Sequence, residues 1–180
     1  LYYLNLARSI YEQQNNKHNL PVCYKNIGMV YFGQGRHSAA LDYYYKALFI
    51  EIEQHNQSAT ADIYNNIGDV LQNMQVYPKA LDYYGKAIQI ARRNHDLLEI
   101  GTATENIGEV LLAQKHYDDA VNYLAKALRI AVKQDDKDGI SYISADLGLC
   151  YAYKGQHDLA LNYFNTALDT ASKYNIVYDK

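Results

Sequence analysis

The stretch YNNIGDVL, Tyr64 to Leu71, decides how this chain is read. It sets two asparagines and a glycine inside an apolar pattern of helical spacing. There Asn costs a few tenths of a kcal/mol and Gly about 1 kcal/mol relative to Ala. One such patch would carry no information, but this one recurs. KNIGMVYF starts at Lys25, ENIGEVLL at Glu105 and ADLGLCYA at Ala145, so the glycine falls at Gly28, Gly68, Gly108 and Gly148, 40 residues apart each time.

Set out at that period, the copies run 21–60, 61–100, 101–140 and 141–180, and residues 1–20 match the second half of a copy. In the first copy Ile27, Val30 and Tyr31 form one apolar stripe of helical spacing, and Leu41, Tyr44, Ala47 and Leu48 form another after a break. The break falls near Gln34 to His37. Gly35 and Gly155 suit a left-handed helix end there, with Gln75 and Lys115 in the same column of the middle copies. Ser38, Pro78, Asp118 and Asp158 follow, residue types favoured where a helix starts. Each copy therefore reads as helix, tight turn, helix, and the fold class as all-α. The glycine column pairs with Ala40, Ala80, Ala120 and Ala160, twelve residues on, which predicts close approach of two helices through small residues.

Composition narrows the function classes. The chain has 180 residues, 17 basic and 20 acidic, for a formal charge of −3. No basic cluster is present to neutralise phosphates, so nucleic acid is not an expected partner. No apolar run approaches the roughly 18 residues of a membrane span, and the N-terminus lacks the pattern of a signal peptide. Direct membrane insertion is not expected, and the cytoplasm is the expected compartment. Because the chain begins at Leu1 rather than Met, an extracytoplasmic location stays open. Cys23 and Cys150 lie in the first and last copies without a CxxC, which reads as two small buried residues.

These columns resemble the tetratricopeptide repeat: an aromatic, then Leu-Gly, Tyr, Ala and a second aromatic at fixed offsets. The four copies give Tyr24, Ile27, Gly28, Tyr31, Ala40, Tyr44; Tyr64, Ile67, Gly68, Leu71, Ala80, Tyr84; Thr104, Ile107, Gly108, Leu111, Ala120, Leu124; and Ser144, Leu147, Gly148, Tyr151, Ala160, Phe164. The usual unit is 34 residues. The 40-residue period is similar to the longer variant of kinesin light chains, polarity adaptors, bacterial pheromone receptors and bacterial signalling proteins. The resemblance implies a right-handed superhelical α-α solenoid with a concave face lined by the first helix of each pair.

On those first helices, the residues pointing away from the apolar stripe are the binding candidates. Asn26, Asn66 and Asn106 share a column that ends in Asp146. A carboxamide donates and accepts, so it pairs with a peptide backbone whatever the side chains. Helices about 8–10 Å apart and an extended chain rising about 3.3 Å per residue would place one Asn at every third ligand residue. In the long-repeat relatives an Asn ladder of this kind holds peptide backbones, which the resemblance carries to these three residues. Lys25, Asn65 and Glu105 form the adjacent column, and Asp69 and Glu109 another. One cation among these first-helix columns, Lys25, against Asp62, Asp69, Glu105, Glu109 and Asp146 predicts a polar or basic ligand segment.

Neither catalysis nor a cofactor is expected. His55 and His95 share a turn column whose other members are Asp135 and Asn175, which is turn composition rather than a metal site. The column Tyr43, Tyr83, Tyr123, Tyr163 reads as core packing rather than an aromatic binding strip. The expected function is a protein-protein interaction module that binds an extended peptide or protein segment. The alternative is a sensory or regulatory region of a larger bacterial signalling protein carrying a histidine kinase, nucleotide cyclase or transcription-regulator domain. Chain ends at repeat boundaries suggest an excised piece whose exposed repeat ends self-associate.

Overall fold

The computed structural model describes residues 1–174, and every regular element among them is an α-helix. They are α1 (Tyr2–Gln13), α2 (Leu20–Gly33), α3 (His37–Glu53), α4 (Gln57–Asn73), α5 (Tyr77–Arg93), α6 (Leu97–Ala113), α7 (Tyr117–Gln134), α8 (Lys137–Tyr153) and α9 (His157–Tyr174). They fall into two compact units, one from Leu1 to His95 and one from Asp96 on. In the first, α2 pairs with α3 and α4 with α5, while α1 packs on α2 and α3 on α4; in the second, α6 pairs with α7 and α8 with α9, and α7 packs on α8. No helix among the described residues is long and apolar enough to cross a membrane.

The first helices of the later pairs begin at Gln57, Leu97 and Lys137, four residues ahead of the copy starts read from the sequence. The reason is a capping column that the apolar stripe does not show. Asn56, Asp96 and Asp136 each accept a hydrogen bond from the backbone N–H three residues on, at 3.4, 3.0 and 3.0 Å. These caps satisfy donors that have no partner within the helix. The second helices α3, α5 and α7 have no side-chain cap, and Ser38, Pro78 and Asp118 sit just inside their first turns.

Both turn columns are left-handed. Gly35 (φ 70°), Gln75 (59°), Lys115 (64°) and Gly155 (73°) end the first helices, and His55 (56°), His95 (57°) and Asp135 (57°) end the second ones. The histidine column is thus a backbone turn, as its composition implied; Asn175 lies outside the described residues.

The glycine column works differently from the expectation. The nearest atoms that a Cβ at Gly28 would meet belong to the Tyr44 ring, at 2.7 Å, and not to Ala40. At Gly108 they belong to Leu124, at 2.7 Å, and at Gly148 to the Phe164 ring, at 2.6 Å; at Gly68 they belong to the Tyr84 ring. The glycine therefore makes room for a large side chain one turn beyond the alanine. Helical side chains lean towards the N-terminus, so the residue at 44 covers the backbone near 40.

Tyr44, Tyr84, Ile27, Ile63 and Ile67 anchor the core of the first unit, all essentially closed to solvent. In the second, Ala120, Leu124, Ala127, Ile143, Leu147 and Cys150 form one buried cluster. Cys23 and Cys150 are both buried and free. Tyr43, Tyr83, Tyr123 and Tyr163 are only half-buried. Tyr43, Tyr83 and Tyr163 pack ring against ring, with Tyr31 stacked on Tyr43 and Tyr151 on Tyr163, and the ammoniums of Lys46, Lys86 and Lys126 lie over Tyr43, Tyr83 and Tyr123.

Candidate functional site

On each first helix the apolar stripe faces its partner helix, so residues at spacings of three, four and seven on the other side form a second face. In the first unit α2 contributes Val22, Lys25, Asn26 and Met29, and α4 contributes Asp62, Asn66 and Asp69. Val22 is 52% and Met29 50% exposed. Lys25 bridges the two helices, its Nζ 2.6 Å from Asp62 Oδ2. Asn66 donates from Nδ2 to the Asp62 backbone oxygen at 2.7 Å and to its Oδ1 at 3.0 Å. Both amide protons of Asn66 are thereby spent within its own helix. Asn26 is half-buried, and its side chain makes no hydrogen bond among the described residues.

Two candidates in this unit are not presented as the sequence suggested. Asn65 is only 5% exposed, turned into the packing between helices, so in this structure it is closed to a ligand. Asp69 is half-buried and held by the core: the Tyr84 hydroxyl lies 2.9 Å from its Oδ1 and 2.7 Å from Gln72 Oε1. A neighbour in the helical wheel differs from it by only 100°, which is too little for residue type alone to divide buried from exposed.

In the second unit the same face is built from Thr102, Glu105, Asn106 and Glu109 on α6 and Tyr142, Asp146 and Leu149 on α8. Glu105, Asn106, Glu109 and Asp146 are half-buried, while Tyr142 and Leu149 are 38% and 40% exposed. Glu105 lines a small cleft together with Gly101, Ile130 and the capping Asp136. Among the described residues no basic side chain forms an ion pair with Glu105 or Asp146. Burial first, then the like charges of Glu109, Asp146 and Asp136, pushes the Glu105 carboxyl up to about 8. Burial and then Glu109 push Asp146 up to about 7. At neutral pH this face therefore retains protons that ordinary carboxylates would have lost.

These faces carry three half-buried carboxamides, a set of carboxyls and a few exposed apolar residues. Among the described residues no group of three or more His, Cys, Asp or Glu is placed to hold a metal ion.

Comparison with known proteins agrees with the helix pairing. Tetratricopeptide-repeat profiles match residues 59–133, 99–173 and 21–51. No curated protein sequence matches the chain. Among solved structures, BtubC from P. vanneervenii is similar over 98% of this chain and 76% of its own, with a TM-score of 0.81 and 21% identity. Aspartyl phosphate phosphatase F from Bacillus subtilis is similar over 87% of this chain and 41% of its own (TM-score 0.83, 17% identity). The Rap conjugation gene regulator of plasmid pLS20, in complex with the Phr* peptide, is similar over 88% and 44% (TM-score 0.75, 23% identity). The chain thus spans less than half the length of the last two, and at these identities the likeness is one of fold. With repeat profiles matched over 21–51 and 59–173, and the helix pairs that they describe present in the structure, the chain belongs to the tetratricopeptide-repeat family and has its all-α helical-repeat fold.

Proposed function

We propose that this chain is a protein-interaction module that receives an extended peptide or protein segment on its first-helix faces and acts by binding rather than by catalysis. One observation carries the reading: Asn26, Asn66 and Asn106 occupy the same register on three first helices, half-buried and outside the core. Asn is a poor choice for a solvated helix face, where Ala, Lys or Glu would favour the helix. Its carboxamide matches the N–H and C=O of a backbone. Asn26 offers both groups. Asn66 accepts through Oδ1 and donates only by exchanging its bonds to Asp62 for bonds to a ligand carbonyl. Support also comes from the pLS20 regulator, a protein of similar fold whose structure holds a peptide.

Selection from a display library of random peptides tests this, run on the wild type and on an Asn66→Ala, Asn106→Ala double variant of unchanged helicity. Ligands that enrich on the wild type and not on the variant are expected. Equal enrichment on both would sink the carboxamide role.

A second reading draws on the same resemblance to regulators: peptide binding is passed to an attached output domain such as a kinase, cyclase or transcription regulator. The complete reading frame of the gene decides it, since a frame that encodes only repeats would remove this reading.

A further inference from the structure

We propose that the outer face of α3 is a contact between two copies of this chain, antiparallel about a two-fold axis at Phe49. Tyr45, Phe49 and Ile52 lie four and then three residues apart on one side of α3, and they are 43%, 65% and 49% exposed. The fold does not ask for them. In the same columns α5 carries Gly85, Gln89 and Arg92, and α7 carries Ala125, Arg129 and Val132, yet both helices pair with their first helices as α3 does with α2. An apolar stripe that only one repeat carries, and that the packing does not use, marks a contact surface.

The charges beside the stripe identify what covers it. At about 100° per residue, Lys46 and Glu53 flank Phe49 on one side of the helix, and Tyr45 and Ile52 flank it on the other. In an antiparallel pair of copies, residues equally far before and after Phe49 meet on the same side. Lys46 then reaches Glu53 of the second copy and Tyr45 reaches its Ile52, each twice, while the two Phe49 rings pack on the axis. Glu53 makes this possible. Lys46 has counterparts in Lys86 and Lys126, but the column of Glu53 continues as Arg93, Lys133 and Lys173. The same contact on α5 or α7 would set Lys86 on Arg93 or Lys126 on Lys133, and like charges oppose it. The acid therefore stands only where the aromatic stripe stands.

The face is held ready for such a contact. The Tyr45 hydroxyl lies 3.0 Å from that of Tyr83, and Lys46 Nζ lies 4.9 Å from the centre of the Tyr43 ring. Beside Phe49 an open cleft lined by Tyr24, Tyr45, Lys46 and Ile50 gives the Phe49 ring of the second copy a place to enter. Glu53 meets Lys17 at 3.2 Å on the surface, and a carboxylate has acceptor sites left for a second ammonium. One helix face buries little area, so the dimer is a weak one. It uses none of the residues proposed above to hold a peptide.

Sedimentation equilibrium between about 10 µM and about 1 mM tests this. The wild type is expected to dimerise within that range. Phe49→Gln, which gives α3 the residue that α5 has in this column, should weaken association by about tenfold. Lys46→Glu and Glu53→Lys should each stay monomeric alone, because both contacts across the axis then join like charges. Mixed in equal amounts, those two variants should form a heterodimer about as tight as the wild-type dimer, since each copy offers the other its opposite charge. All three positions are exposed, and circular dichroism checks that helicity is kept. A wild type that stays monomeric throughout leaves the stripe to a different protein and overturns the proposal. Dimers that survive Phe49→Gln undiminished, or charge variants that stay apart when mixed, overturn it as well and place any association elsewhere, such as at the repeat ends.

Discussion

The two units repeat one backbone plan and solve its charge problem in opposite ways. On the α2/α4 face of the first, Asp62 is neutralised by Lys25 and bonded by Asn66, and Asp69 accepts from the buried Tyr84. On the α6/α8 face of the second, Glu105 and Asp146 form no ion pair with a basic side chain among the described residues, and their carboxyls are pushed up to about 8 and about 7. The cores need only the apolar stripe and the glycine column, and both units have them. A repeat array can therefore vary the polar face freely while its packing stays fixed, which is how recognition is changed without changing the fold.

The largest effect that separates the units lies in the packing under those faces. At Gly68 an added Cβ meets the ring of Tyr84, which is buried and pinned through its hydroxyl to Asp69 and Gln72. At Gly108 it meets Leu124, an aliphatic side chain that no hydrogen bond pins. Gly68→Ala is expected to cost about 3 kcal/mol and Gly108→Ala about 1 kcal/mol, after the helix-propensity gain of about 1 kcal/mol common to both. Urea denaturation measures each, and equal costs would show that the pinned ring does not set the difference.

The next effect is pH dependence in the second unit. The Glu105 and Asp146 carboxyls titrate near 8 and 7 when folded and at about 4.3 and 3.9 when unfolded. In that interval the folded chain binds more protons, so the stability they contribute is fully present below about pH 4 and is lost as pH rises through 7 to 8. The melting temperature should fall by on the order of 5 °C between pH 6 and pH 9. Glu105→Gln should flatten most of that fall and raise the melting point at pH 9. A flat wild-type profile would show that the cluster finds compensation in solution.

A smaller effect belongs to the first unit. Lys25→Gln removes the cation that distinguishes its face and should cost about 0.5–1 kcal/mol at low salt, because the pair is only partly buried. The cost should shrink as salt is raised, since screening weakens exposed pairs first. A loss that does not depend on salt would assign Lys25 a packing role instead.

Much of this was legible in the sequence. The 40-residue spacing of Gly28, Gly68, Gly108 and Gly148, with two apolar stripes per copy, was enough to give paired helices, because only a helix places such stripes on one side. The left-handed turns were readable at Gly35 and Gly155 and then held at Gln75 and Lys115 by position alone. What the glycines face was not readable, since Ala40 and Tyr44 share a helix face and side-chain lean decides which covers the backbone. The column Asn16, Asn56, Asp96, Asp136 carried a capping signal that the apolar stripe does not register; in the last three it starts the helices four residues earlier. On the binding face, Asn65 and Asn66 differ by one position, yet one is buried and the other donates to Asp62. The burial of Asn65 depends on how far the neighbouring helix reaches, which no single column records.

The turns that end the first helices give the finest comparison, because each unit holds one relaxed and one strained copy of the same turn. Gly35 and Gln75 occupy it in the first unit, Lys115 and Gly155 in the second, all at φ between 59° and 73°. An L-residue with a side chain loses about 1–2 kcal/mol there, and glycine does not. Glycine also gives the unfolded chain more freedom, which offsets part of that gain. Gln75→Gly and Lys115→Gly are therefore each expected to stabilise by about 0.5–1 kcal/mol, seen as higher urea midpoints at unchanged slope. Gly35→Gln and Gly155→Lys should lose similar amounts. If Lys115→Gly gains nothing while Gln75→Gly gains the full amount, the Lys115 side chain makes a compensating contact in the second unit that Gln75 does not make in the first.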